Sequence, residues 1–138
     1  MKTILMLAAL LLAPGLLAAE PDARTTDEIA YLFSNLRSSD CQFFRNGDWY
    51  GSQRAAEHLN QKYQYLLKRG LVPTTETFIE RAATKSSFSG KPYLVKCGNA
   101  EEVESGVWFS QELQRLRATS QQAASHYTGA GCGHRHSD

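Results

Sequence analysis

The sequence predicts an α+β fold: about four helices and a small three-stranded antiparallel sheet, in the order α-β-β-α-α-β-α. Three observations lead there. Apolar residues recur at helical spacing in four separate stretches, an Asn46-Gly47 pair sits between two aromatic runs, and a later apolar run, Tyr93 to Cys97, is bounded by Pro92 and Gly98-Asn99. Helical and strand signals alternate without internal repeats, which favours one small domain over an array.

The chain begins with Lys2, an apolar run from Ile4 to Leu12, Pro14-Gly15 and a small-residue end at Ala18-Ala19. This is the pattern of a cleaved secretory signal peptide over residues 1–19, with periplasmic delivery as its consequence. An uncleaved anchor is the alternative, but Pro14-Gly15 interrupts the run, which falls short of the about 20 apolar residues a spanning helix needs. No stable membrane insertion is expected after cleavage. The remaining chain of about 120 residues suits one domain with a modest core, placed at residues 20–117.

Thr25 followed by Glu28 has the form of a capping box, and Ile29, Leu32, Phe33 and Leu36 then give a helix with one buried stripe, ending near Ser38. Cys41-Gln42-Phe43-Phe44-Arg45 and Asp48-Trp49-Tyr50 flank Asn46-Gly47. Both turn residues tolerate positive φ, so the segment predicts a tight hairpin. Ser52 is a candidate cap for a second helix with Ala55, Ala56, Leu59, Tyr63, Leu66 and Leu67 inward, and Gly70 can supply its left-handed stop. A third helix is expected from Pro73-Thr74-Thr75, with Phe78, Ile79, Ala82 and Ala83 buried, fading at Lys85. Pro92 lacks a donor and suits the start of the third strand. An acidic connector (Glu101, Glu102, Glu104) leads to Ser105 and a last helix carrying Val107, Trp108, Phe109, Leu113 and Leu116. Beyond Arg117 the apolar period stops, and residues 118–138, rich in Gly, Gln, Ser and His, read as a disordered tail.

Only Lys2 of the 15 Lys and Arg residues lies in the leader, so the rest of the chain is close to neutral against 14 Asp and Glu. Nucleic-acid binding, which needs a basic surplus, is disfavoured. The three cysteines belong to an exported and oxidising setting, where pairing is the default. Cys41 and Cys97 flank strand-like segments, whereas Cys132 lies among glycines, so Cys41–Cys97 is the expected disulfide. Antiparallel pairing of the third strand with the first would set these two opposite each other.

Three clusters carry possible chemistry. Ser86, Ser87, Ser89, Gly90 and Lys91 combine hydroxyls, amides and an ammonium in a loop that could cradle an anion. The spacing is not that of a P-loop, and a polar turn whose hydroxyls cap their own backbone is the competing reading. Arg45, Asn46, Asp48 and Tyr50 of the hairpin form a second cluster with Arg54, His58 and Lys62, which recur on one helical face. His58 is a candidate general base if Asp48 and a loop serine join it; a solvated or salt-bridged helix face is the alternative. Cys132, His134 and His136 have soft-metal donor chemistry without a structural zinc spacing, and His-rich tracts often bind metal only adventitiously. No cofactor motif is present. Most aromatic residues are assigned to the core, with Trp49 and Tyr50 as the partly exposed exceptions.

Phe44-Arg45-Asn46-Gly47 with Tyr50, then Ala56, His58-Leu59, Lys62 and Phe78-Ile79, carries a further signal. So do Ser86-Ser87 through Ser89-Gly90-Lys91-Pro92-Tyr93, Cys97, Ser105, Trp108 and Leu113. Together they resemble a domain-of-unknown-function family of small exported proteobacterial proteins, the YfeK-like proteins, over about Thr26 to Arg117. The resemblance implies export, this element order and weight on the Ser-Gly-Lys-Pro-Tyr stretch, but no mechanism. The reading is therefore a non-enzymatic periplasmic binding or interaction module. Its contact surface would be Ser86, Ser87, Ser89, Gly90, Lys91 and Arg45, and its partner a protein or a small anionic ligand. A small hydrolase or transferase using His58 with a loop serine, and a periplasmic inhibitor or immunity-type protein, are the alternatives.

Overall fold

A computed structural model describes residues 20–129. The expected signal peptide and the Cys132, His134 and His136 cluster lie outside the described residues. The elements are α1 (Ala23–Ser38), β1 (Cys41–Arg45), β2 (Asp48–Gly51), α2 (Ser52–Leu67), α3 (Thr75–Phe78) continued by a π-helical turn (Ile79–Ala83), β3 (Leu94–Cys97), β4 (Val103–Glu104) and α4 (Ser105–Gly129). The strands form one antiparallel sheet in the order β2-β1-β3-β4. The α+β class stands, with four helices among the described residues; the sheet there has four strands where three are expected. The extra strand is two residues long and pairs Leu94 with Glu104 and Val95 with Val103, too short to leave a periodic signal in the acidic connector.

The hairpin turns at Asn46 (φ 50°) and Gly47 (φ 98°), both in the left-handed region that the Asn-Gly pair tolerates. β1 pairs with β3 so that Cys41 faces Cys97, and the two are joined by a disulfide across a sequence separation of 56. Cys41, Phe43 and Val95 are buried on the inner face of the sheet, whereas Gln42 and Lys96 point out. Phe44 and Trp49, paired across the hairpin, meet at a tilt with 5.3 Å between ring centroids.

The core fills the space between the inner sheet face and the helices. Ile29, Leu32 and Leu36 of α1 and Ala56 and Leu59 of α2 are nearly inaccessible, as the helical stripes predict. Phe78 is fully buried at the centre, with Tyr63, Phe33 and Phe109 rings at 5.3, 5.6 and 6.5 Å. Trp108 meets Phe43 edge-on at 5.7 Å and joins α4 to the sheet.

Helix starts differ from the local patterns. α1 is capped by Asp22, whose carboxylate accepts the Thr25 amide at 2.7 Å, so Thr25 and Glu28 form no capping box. Glu28 is buried and accepts instead from Thr75 Oγ1 (2.6 Å), Arg24 (3.0 Å) and both arms of Arg117 (2.9 and 2.8 Å), linking α1, α3 and α4. Gly51, not Ser52, is the N-cap of α2; the Ser52 hydroxyl donates to the Arg37 carbonyl. The third helix widens after one turn, with the Thr84 hydroxyl donating at 2.8 Å to the Ile79 carbonyl that an α-turn would pair with a nearer amide. α4 runs to Gly129, so residues 118–129 are helical where a disordered tail is expected. Gln and Ala in this stretch are competent helix formers even with every side chain from Ala118 to Tyr127 exposed. No described helix is long and apolar enough to cross a membrane.

Candidate functional site

The inner face of the hairpin and the N-terminal half of α2 enclose a cleft of about 260 Å³. Strand alternation puts Phe43 and Arg45 on the same side of β1, and cross-strand pairing sets Tyr50 beside Phe43. On α2 the spacing of Arg54 and His58 brings both to the cleft, and Lys62 follows one turn later. Tyr93, just before β3, closes one side. The floor is apolar, made by Leu36, Phe43, Leu59, Ala83 and Phe109.

Aromatic rings hold the polar groups in place. Arg54 lies over the Tyr50 ring at 5.1 Å, and Lys62 Nζ lies 5.3 Å from the Tyr93 centroid while donating to the Lys85 carbonyl at 2.7 Å. His58 Nε2 is 3.4 Å from the Tyr93 hydroxyl, a long contact, with the two rings edge to face. Burial first, then the Arg45 and Lys62 charges, pushes the His58 pKa down, which favours the neutral imidazole. Burial, helped by Arg45 and Lys85, lowers Lys62 to about 8. Burial raises Tyr93, while Arg45 and Ser86 pull in the opposite direction by favouring the phenolate. Among the described residues none of Arg45, Arg54 and Lys62 forms an ion pair with a carboxylate. Glu57, exposed on α2, is the one acid in the cleft lining.

Arg45, His58, Tyr50, Arg54 and Lys62 are thus gathered, but the Asp-His-Ser arrangement is not. The neighbour of His58 is a phenol, and among the described residues no carboxylate pairs with it. Asp48 is exposed on β2.

In the serine loop Ser86 is buried, and its hydroxyl accepts the amides of Phe88 (3.3 Å) and Ser89 (3.2 Å). The Gly90 amide donates to the Ser86 carbonyl and the Ser86 amide to the Lys91 carbonyl, each at 2.9 Å, while the Lys91 amide reaches Ser89 Oγ at 3.4 Å. These donors serve the loop itself. Ser87, Ser89, Gly90 and Lys91 are exposed, and Gly90 takes φ 71°. Ser89 Oγ donates to Asn46 Oδ1 at 3.1 Å, so the loop is fastened to the hairpin turn beside the cleft.

Sequence reasoning missed two participants. Tyr93 reads as a core aromatic, yet its hydroxyl is the point on which His58, Arg45 and Ser86 converge. Phe88 sits at the loop tip, 98% exposed, with no apolar neighbour in sequence to mark it. Among the described residues no group of three His, Cys, Asp or Glu side chains could hold a metal ion.

Residues 23–117 match a family described as "Family of unknown function (DUF5329)". A 64-residue stretch is 38% identical to "Uncharacterized protein YfeK" of Salmonella typhimurium strain LT2, covering 46% of this chain. That alignment takes in 52% of the relative's length, about half of it. No solved structure matches the chain.

Proposed function

Because this chain belongs to the DUF5329 family of unknown function, which brings no activity to inherit, we propose from its geometry a non-enzymatic binding module for a small anionic ligand. The ligand sits in the cleft between the hairpin and α2, with the serine loop as the adjoining contact surface. One observation carries this reading: Arg45, Arg54 and Lys62 gather around a partly buried aromatic site with no ion-paired carboxylate among the described residues. Cations near a low-dielectric surface interact with an anion more strongly than cations in open water. A neutral His58 and the Tyr93 hydroxyl add uncharged hydrogen-bonding groups that can orient the ligand. The leader pattern and the Cys41–Cys97 disulfide support a periplasmic site of action.

Calorimetric titration with acetate and inorganic phosphate at low ionic strength tests the reading. Saturable binding is expected, weakened about tenfold by Arg45→Gln and unchanged by Lys96→Gln on the outer sheet face. Equal, non-saturable heats in wild type and Arg45→Gln would overturn it.

A further inference from the structure

The cleft lining is of two kinds. Leu36, Phe43, Leu59, Ala83 and Phe109 offer a ligand no hydrogen-bonding side chain, while Arg45 and His58 meet at the Tyr93 hydroxyl, with Tyr50, Gln61 and Ser105 among the other polar groups of the lining. A fully hydrated inorganic anion would engage the polar groups alone and make no use of the apolar side chains. An apolar cavity of about 150 Å³ accommodates a benzene ring, so about 260 Å³ has room for about ten non-hydrogen atoms.

We propose that the cleft selects an amphipathic monocarboxylate of about eight carbons, its tail on the Leu59–Phe109 floor and its carboxylate at Arg45 and the Tyr93 hydroxyl. This rests on the anion-binding reading above and specifies its ligand class. A planar guanidinium matches a carboxylate in bidentate fashion, which a phosphate dianion on a bulky sugar would reach only by forgoing the apolar floor. The groups around the headgroup also exclude most alternatives. Glu57 contributes one negative charge to the lining, which disfavours a second anionic group on the ligand. Arg54 is held over Tyr50 and Lys62 against the Lys85 carbonyl, so Arg45 is the cation left to make direct contact. Ala55, half-buried on α2, also lines the cleft and limits the space open to the tail.

The test is a calorimetric series of acetate, butyrate, hexanoate, octanoate and decanoate, with 1-octanol as the uncharged control, on the oxidised protein at pH 7. Affinity is expected to rise about threefold to fourfold per methylene and to level off beyond octanoate, with 1-octanol at least tenfold weaker than octanoate. Ala55→Leu, which adds side-chain volume at the cleft wall, should, in a variant that keeps the native circular dichroism spectrum, weaken octanoate about tenfold and leave acetate unchanged. If acetate and octanoate bind equally, the chain-length inference is overturned and the anion site stands. If 1-octanol binds as well as octanoate, the charge plays no part, and the anion reading falls together with this one. Absence of binding by every probe to a protein with a native circular dichroism spectrum overturns both.

Discussion

A carboxylate buried among helices costs desolvation energy unless its oxygens are fully engaged, and Glu28 meets that condition through Thr75, Arg24 and the fork of Arg117. The Arg117 hydrogen bonds, chiefly, hold its pKa down at about 2 against burial. Because the folded-state value lies below the unfolded one, Glu28 contributes its stability fully above pH 5. That contribution drains away as the pH falls towards 2. The shift corresponds to roughly 3 kcal/mol. Glu28→Gln should therefore lose on the order of 3 kcal/mol at pH 7 in urea denaturation. It should also flatten the decline of stability between pH 5 and 2, and a parallel acid limb in the variant would contradict this. Lys62 gives a second pH signature. With its pKa at about 8 it loses charge between pH 7 and 9, so anion affinity should fall over that range. Lys62→Gln should bind more weakly at pH 7 and lose that slope. The Thr25-x-x-Glu28 pattern shows why such roles escape a sequence reading: a local cap and a distant ion pair use the same residue, and the contact with Arg117 has a sequence separation of 89. Tyr93 escaped for a similar reason, since nothing in its neighbours distinguishes a buried ring from a ring whose hydroxyl meets a cleft.

At the scale of elements, signals that depend on neighbours in sequence were reliable. The Asn46-Gly47 hairpin, the stripes of α1 and α2 and the facing positions of Cys41 and Cys97 all follow from spacing and turn chemistry. Elements without a local periodic signal were not legible: β4 exists through pairing with β3, and the π-turn, beside which the Thr84 hydroxyl donates to the Ile79 carbonyl, reads in sequence as continued α-helix. Close packing of α4 on that turn is testable. A Cβ added at Gly106 would meet Thr84 Oγ1 at 2.8 Å, so Gly106→Ala should destabilise by roughly 1–2 kcal/mol although alanine is the better helix former. In a Thr84→Ala background the same change should be nearly neutral or stabilising, measured as a double-mutant cycle. The disulfide closes a long loop, and replacing both cysteines by alanine should remove about 4 kcal/mol in the chain-entropy account, read from the denaturation midpoint of wild type against the double variant.

For the whole molecule, rigidity and exposure are distributed unevenly. One aromatic core around Phe78, one ion-pair hub at Glu28 and one disulfide tie helices and sheet together among the described residues, while the loop carrying Phe88 is held by buried Ser86, the Ser89–Asn46 bond and its own internal hydrogen bonds. Phe88→Ser should change global stability by less than about 0.5 kcal/mol, because a ring that is 98% exposed contributes no buried area. A larger loss in thermal unfolding would mean that the ring packs in solution. The α4 extension likewise projects past the core with exposed side chains from Ala118 to Tyr127, so its helicity depends on propensity rather than on packing.

The π-helical turn at Ile79–Ala83 has an evolutionary corollary. A turn closed over five residues accommodates about one more residue than an α-turn, so it is a natural place for a single-residue insertion or deletion to be absorbed. Shortening the chain there, for example by removing exposed Arg81, would let the segment relax into continuous α-helix at little cost to the Phe78 side of the core. Because Ala83 is the last residue of that turn and lines the cleft, its position is the one most affected. Length variation at this point is thus a means of reshaping the cavity without redesigning the domain, and relatives that differ by one residue between positions 79 and 83 should differ in the chain length of the ligand they take.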